Sequence, residues 1–210
     1  MKRNQTKKRM SWLQKLTISL LPLTFVGCAS VQAGINDSNF TPVGLTGVQH
    51  IGPNFNVSRF YVDGVYGSNV GRGGGGGSSV CCVALPKKWR PDLTTEVRWA
   101  VGDWSKENLA ETAAGNYKSI TSEGVYKAKV PVEKYDKPGQ LFVHFFAGGR
   151  IRVVSSEYYP ESKLHPILGD DQHAADITTV GTRVDALFTP EEQLESARKS
   201  KENRNRGDWR

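Results

Sequence analysis

The chain has 210 residues and a formal net charge of +7, from 28 Lys and Arg against 21 Asp and Glu. Six basic side chains (Lys2, Arg3, Lys7, Lys8, Arg9 and Lys15) and no acidic one fall in residues 1–27, so residues 28–210 carry 22 basic against 21 acidic groups. Near-neutrality there argues against nucleic acid as a partner, 38% hydrophobic and 23% charged residues argue against disorder, and three cysteines are too few for a disulfide-built miniprotein.

Residues 1–27 read as an export signal. The basic segment Lys2 to Arg9 precedes an apolar stretch from Trp12 to Val26, which is too short for a permanent membrane span of ~20 residues. Phe25-Val26-Gly27-Cys28 follows, and it resembles the lipobox of bacterial lipoproteins. The resemblance implies that the Cys28 thiol receives a diacylglyceryl group and that cleavage frees its amine for a further acyl chain. Thiolate nucleophilicity explains why the position must be cysteine. Phe25 stands where leucine is usual, and an ordinary secretory signal cut near Ala33 or Gly34 is the alternative. Ala29 in place of aspartate implies, by the sorting rule of such lipoproteins, the outer membrane facing the periplasm. Met10 offers a second start that removes five of the six basic residues and would leave a cytosolic pool.

The predicted organisation is a signal peptide over 1–27, a lipidated tether over 28–42, a β domain over 43–188 and a C-terminal helix and tail over 189–210. Small and polar residues make 29–42 a spacer. Val43 to Ile51 and Val57 to Val62 are candidate strands, the second closed by an Asp63-Gly64 turn. Val80-Cys-Cys-Val83 is β-like. Val97, Trp99 and Val101 alternate with polar or small neighbours, and Val125 to Val132 alternates more loosely. Leu141 to Phe146 and Ile151 to Val154, joined through Gly148-Gly149, predict a hairpin. Pro160 to Val184 has little periodicity and reads as loops with one short strand. Thr189-Pro190-Glu191-Glu192 carries a capping threonine, a first-turn proline and first-turn acids, which starts a largely exposed helix to about Glu202. The fold class is mainly β: a small antiparallel β-sandwich with a C-terminal α-helix.

Candidate chemistry is sparse. Arg72 followed by Gly73 to Gly77 and Ser78-Ser79 lacks the Gly-Lys-Ser/Thr ending of a phosphate loop and runs into a strand, so it reads as a flexible loop or a place of close approach. Cys81-Cys82 admits a vicinal disulfide, a pair of reduced thiols pointing to opposite faces of a strand, or a metal or interchain role; two adjacent thiols do not supply tetrahedral ligation. Of the histidines His50, His144, His165 and His173, the pair His165 and His173 with Asp170-Asp171 has ligand-type residues without recognised metal spacing. His144, between Phe142-Val143 and Phe145-Phe146, reads as half-buried and hydrogen-bonded. No Gly-x-Ser-x-Gly elbow occurs. No cofactor, metal or catalytic residue is therefore expected. Trp89-Arg90-Pro91 with Lys87-Lys88 forms a predicted loop that faces a protein partner, lipid headgroups or only solvent; Arg72, Ser78, Lys87, Trp89 and Arg90 are the candidate partner-binding residues.

Gly74 to Ser79 with Val80-Cys81-Cys82-Val83-Ala84-Leu85-Pro86, then Trp89-Arg90-Pro91, Val97-Arg98-Trp99, Val143-His144-Phe145, Gly148-Gly149-Arg150 and Val153 to Ser156, resemble a family of proteobacterial lipoproteins classed as a domain of unknown function, from about Leu45 to Pro166. Some of its members resemble immunity proteins for type VI secretion lipase effectors. The resemblance implies a non-enzymatic protein that binds and neutralises a cognate phospholipase effector, held at the membrane through acyl chains on Cys28. An envelope structural or binding lipoprotein without a toxin partner is the competing expectation.

Overall fold

Alternating apolar side chains need two surfaces to bury against, and the chain supplies them by folding two five-stranded sheets face to face. The computed structural model describes residues 38–74, 77–168, 171 and 173–205; the export signal, Met10, Cys28 and most of the tether lie outside the described residues. In chain order the elements are β1 (Phe40–His50), β2 (Phe55–Val62), β3 (Val65–Tyr66), β4 (Val80–Pro86), β5 (Thr94–Asp103), α1 (Leu109–Ala113), β6 (Thr121–Pro131), β7 (Gln140–Phe146), β8 (Arg150–Ser156), β9 (Thr179–Val180), β10 (Thr182–Arg183) and α2 (Pro190–Asn205).

One sheet has the order β4-β1-β7-β8-β9 and the other β10-β6-β5-β2-β3. The fold is mainly β with a C-terminal helix, as the alternation predicts. It is mixed rather than purely antiparallel, because β1 and β7 run parallel with Leu45 opposite Leu141 and Val48 opposite His144. β1 begins at Phe40, three residues before the predicted start, and Phe40 to Val43 pair with Pro86 to Val83. The loop-like stretch before Val184 contributes two two-residue strands, where one was expected.

Phe60, Trp99 and Phe145 join the sheets. Phe60 meets Phe145 edge-on at 5.3 Å between centroids, and Trp99 stacks on Tyr126 at 5.4 Å. All three joining rings are fully buried, and truncating a core aromatic of this kind costs about 3–5 kcal/mol. Gly47 faces this core from β1, where any Cβ would meet Val70, Phe60 and Phe145, so the close approach of the rings requires glycine. The β7–β8 hairpin turns through Gly148 and Gly149, both left-handed at φ 71° and 65°.

The helices are secondary. α1 is capped by Asn108, whose side chain accepts from the Ala110 and Glu111 amides. Five residues carry no readable helical period, so α1 was invisible in the sequence pattern. At α2 the Thr189 hydroxyl accepts from the Glu192 amide while the Glu192 carboxylate accepts from the Thr189 amide, a reciprocal capping box.

Candidate functional site: a buried histidine chain and the loop it pins

Sheet pleating turns every second residue of β1, β7 and β8 away from the main core. On that outer face Val48, Phe142, Phe146 and Val154 form a second buried cluster with Ile167 and Ala174, which come from the segment after β8. The 157–168 loop therefore lies over the sheet and is held by apolar burial. It is also held by three histidines.

Parallel pairing of β1 with β7 sets His50 opposite Phe146 and Val48 opposite His144, bringing the two imidazoles side by side. His50 Nε2 lies 2.8 Å from His144 Nδ1, His144 Nε2 lies 3.1 Å from His165 Nε2, and His165 Nδ1 lies 2.6 Å from the Tyr158 carbonyl. His50 also stacks on Phe146 at 4.7 Å, and Phe142 meets His165 edge-on at 4.8 Å. His144 has no solvent exposure and His165 is buried, so His144 is more deeply enclosed than the half-buried position expected from its neighbours.

The Tyr158 carbonyl fixes the direction of this chain. A carbonyl only accepts, so His165 Nδ1 carries a proton and donates. With neutral rings, His165 Nε2 then accepts from His144 Nε2–H, and His144 Nδ1 accepts from His50 Nε2–H. Burial first, then the neighbouring His50, His165 and Arg152, hold the His144 pKa well below its ordinary value. Burial also lowers His165, against the opposing pull of the Tyr158 carbonyl, Glu161 and Glu133. Arg152 stands opposite His144 on β8; Glu133 takes its Nε and Nη2 protons at 2.7 and 3.0 Å, and the Ala174 carbonyl takes Nη1 at 3.0 Å.

What the chain pins is a loop with an apolar outer side. Tyr158, Tyr159 and Leu164 are 45%, 54% and 66% exposed. Turn hydrogen bonds from Ser162 to the Tyr159 carbonyl and from His165 to the Ser162 carbonyl make the segment compact. Tyr159 is further placed by its hydroxyl on Gln140 and its ring against Phe142. Gln140 in turn donates to the Thr46 hydroxyl.

The residues singled out from sequence are scattered. Cys81 and Cys82 are joined to each other across a cis peptide, on edge strand β4. Arg72 pairs with Glu107 at 2.5 Å and lies over the Trp104 ring at 4.5 Å, and exposed Ser78 follows Gly77, whose amide donates to Gly47. Lys87, Trp89 and Arg90 sit at the opposite end, where β1 starts: the Lys87 amide donates to the Asn39 carbonyl, and Arg90 pairs with Asp92 at 3.2 Å. Trp89 is partly buried against the core with Nε1 donating to the Val132 carbonyl at 2.8 Å, which makes it a structural anchor first. The structure does not gather these five into one surface.

The structure does not bring His165 and His173 together. His165 joins His144, whereas His173 is exposed and contacts Asp176. Among the described residues no group of three or more His, Cys, Asp and Glu is arranged to hold a metal ion. The Ser155 and Ser156 hydroxyls serve the backbone: Ser155 accepts from the Gly139 amide and Ser156 from the Tyr158 amide.

Residues 53–153 match the model of a family described as a protein of unknown function (DUF3304). No curated protein and no solved structure matches the chain. The matched span takes in β2 to most of β8 and includes His144, while His50 and His165 lie on either side of it.

Proposed function

We propose that the chain is a lipid-anchored immunity protein of the periplasm that binds and neutralises a type VI secretion phospholipase effector. The reading begins with its sequence, in which a lipobox-like Cys28 follows a segment that reads as an export signal and the motifs from Leu45 to Pro166 resemble a lipoprotein family, some of whose members resemble such immunity proteins. The observation that carries it further is the pinned loop: Tyr158, Tyr159 and Leu164 expose apolar surface on a segment held by buried hydrogen bonds. Tyrosine gives large contact area at little entropic cost, and a pre-ordered loop loses less freedom on binding.

Neutralisation asks no chemistry of this protein. It asks for an interface of roughly 800 Å² per partner that occludes the lipase cleft or holds its lid. An anchor at Cys28 concentrates the inhibitor on the surface where a phospholipase works.

Co-expression tests the reading. A periplasm-targeted cognate lipase should kill cells lacking this protein and spare cells that make it, and the two proteins should co-purify. Absence of both rescue and complex would reject the proposal, and rescue without a complex would favour an enzymatic countermeasure.

A further inference from the structure

Core-facing positions on β4 break the ordinary alternation of a strand. Val80 packs against the main core, and Val83 and Leu85 are buried in it, a spacing of three and then two where a regular strand has only two. The pairing with β1 locates the extra residue. Val83 stands opposite Val43 and Val80 opposite Leu45, so Cys81 and Cys82 together face Gly44. This is a bulge, and its two residues are the bonded cysteines. Neither belongs to an apolar cluster, Cys81 being exposed and Cys82 half-buried. β4 is also the outer strand of its sheet.

The bond does little for the fold. A disulfide stabilises chiefly by closing a loop of the unfolded chain, and the effect grows with loop length; between neighbours in sequence there is no loop to close. It adds nothing to core packing either. What distinguishes the pair is a sulfur–sulfur bond within reach of solvent, and exposed disulfides are the labile, regulatory or catalytic ones.

We propose that Cys81–Cys82 is a thiol–disulfide exchange site whose reactant is a protein dithiol. A thiolate of the dithiol attacks the exposed Cys81 Sγ, the bond between the two cysteines breaks, and Cys82 leaves as a thiolate that takes a proton from water. The second thiolate of the dithiol then attacks its own sulfur in the mixed disulfide and releases Cys81, which is protonated in turn. The cysteine pair gains two electrons and two protons, and the dithiol loses both and closes to a disulfide. Ser78 and Ser79, just before the strand, are exposed, so the approach from the loop side meets only small side chains.

Cutting the bond has a local consequence. Bonded, the two side chains are held together, whereas adjacent residues of a strand point to opposite faces. Reduced β4 is free to recover that alternation, and the bulge opposite Gly44 takes up the change. The neighbouring glycine-rich loop is tied to β1 close by, through the Gly77 amide on the Gly47 carbonyl.

The site is independent of any toxin partner, and its test needs none. The full chain, equilibrated with oxidised glutathione, should be two hydrogens lighter at Cys81 and Cys82 than after dithiothreitol. Dithiothreitol should reduce the folded chain at a rate within about tenfold of that in urea, since a bond that waits for global unfolding is slowed by about 10³ or more. A thioredoxin variant with its resolving cysteine replaced by serine should be captured on Cys81. Reduction should speed amide exchange over 43–45 and 78–83 while β5 and β6 stay protected. In Cys81→Ser/Cys82→Ser, capture at this strand should vanish with the thermal midpoint within about 3 °C of the parent. Thiols that stay reduced in oxidised glutathione, reduction about a thousandfold slower than in urea, capture on Cys82 or on neither cysteine, or amide exchange identical in the two redox states would each overturn the proposal.

Discussion

Arg98 on β5 and Glu192 in the first turn of α2, 94 residues apart, form a two-pronged ion pair with both nitrogen–oxygen distances at 2.7 Å. Arg98 also holds the Leu187 carbonyl at 2.8 Å and Glu96 at 2.7 Å, and its guanidinium lies over the Phe188 ring at 4.7 Å. One arginine thus fastens the helix entrance to the outer face of a sheet. The Phe188 ring adds an edge-on contact with Tyr61 of β2 at 4.8 Å, whereas Leu194 farther along the helix is exposed.

The Arg98 hydrogen bonds, against the smaller opposing effect of burial, pull the Glu192 carboxyl down to about 2. A depressed acid contributes its stability above the ordinary carboxylate range and loses it as pH falls toward the folded value. Helix docking should accordingly hold above about pH 4.5 and fail between about 4.5 and 2. Glu192→Gln should reproduce part of that loss at neutral pH, about 1 kcal/mol for so exposed a carboxylate, read as faster amide exchange in α2 with β5 and β6 unchanged. An α2 indifferent to both acid and the substitution would refute the clamp.

Adjacent glycines in the β7–β8 turn should respond differently to alanine. At Gly149 (φ 65°) the new methyl would run into the Tyr126 ring, whereas at Gly148 (φ 71°) it meets nothing within 4 Å. Gly148→Ala should cost only left-handed backbone strain, ~1 kcal/mol, and Gly149→Ala at least about 2 kcal/mol because the ring must also shift. Urea midpoints compare the two directly; equal losses would contradict the packing of Tyr126 over this turn.

Most of the sheet framework was legible because it rests on local pattern. Val97, Trp99 and Val101 alternate and all face the core, and Gly148-Gly149 announced its hairpin through a conformation that other residues resist. The histidine chain was not legible. Its members are 94 and 21 residues apart, and what unites them is the parallel register of β1 on β7 and the return of the loop over the outer face. Neither has a signature in periodicity. The available clue was the outward register of His50 and His144 on strands rich in apolar outward neighbours, and it becomes decisive only once the two strands are known to pair. α1 escaped for a different reason: Asn108 caps too few turns for a repeat to show.

If the exposed loop is the partner surface, Leu164→Asp should weaken the complex at least about tenfold, a single apolar anchor being worth 1–2 kcal/mol or more at an interface centre. The side chain is 66% exposed, so thermal stability should remain within about 0.5 kcal/mol of the parent. Tyr158→Ala should act in the same direction. A stable Leu164→Asp protein that still protects cells from the lipase would place the interface elsewhere.

If acyl chains on Cys28 anchor the protein as proposed, Cys28→Ala should shift it from the membrane to the soluble periplasmic fraction, because such chains provide ~0.8 kcal/mol per buried methylene. Fractionation after a salt wash distinguishes the outcomes. Retention of the alanine form at the membrane would show that another contact holds it there.

Where β1 begins has a geometric consequence for the whole molecule. Phe40 is already locked against Pro86, so an anchor at Cys28 leaves eleven residues of leash, no more than about 40 Å even at full stretch. On the proposed anchoring, the pole bearing Lys87, Lys88 and Arg90 would lie at the end of the domain where the tether enters, and the Arg72–Glu107 pair at the end away from it. An incoming protein would meet the domain from a restricted set of directions, as a moored boat always shows the current the same bow.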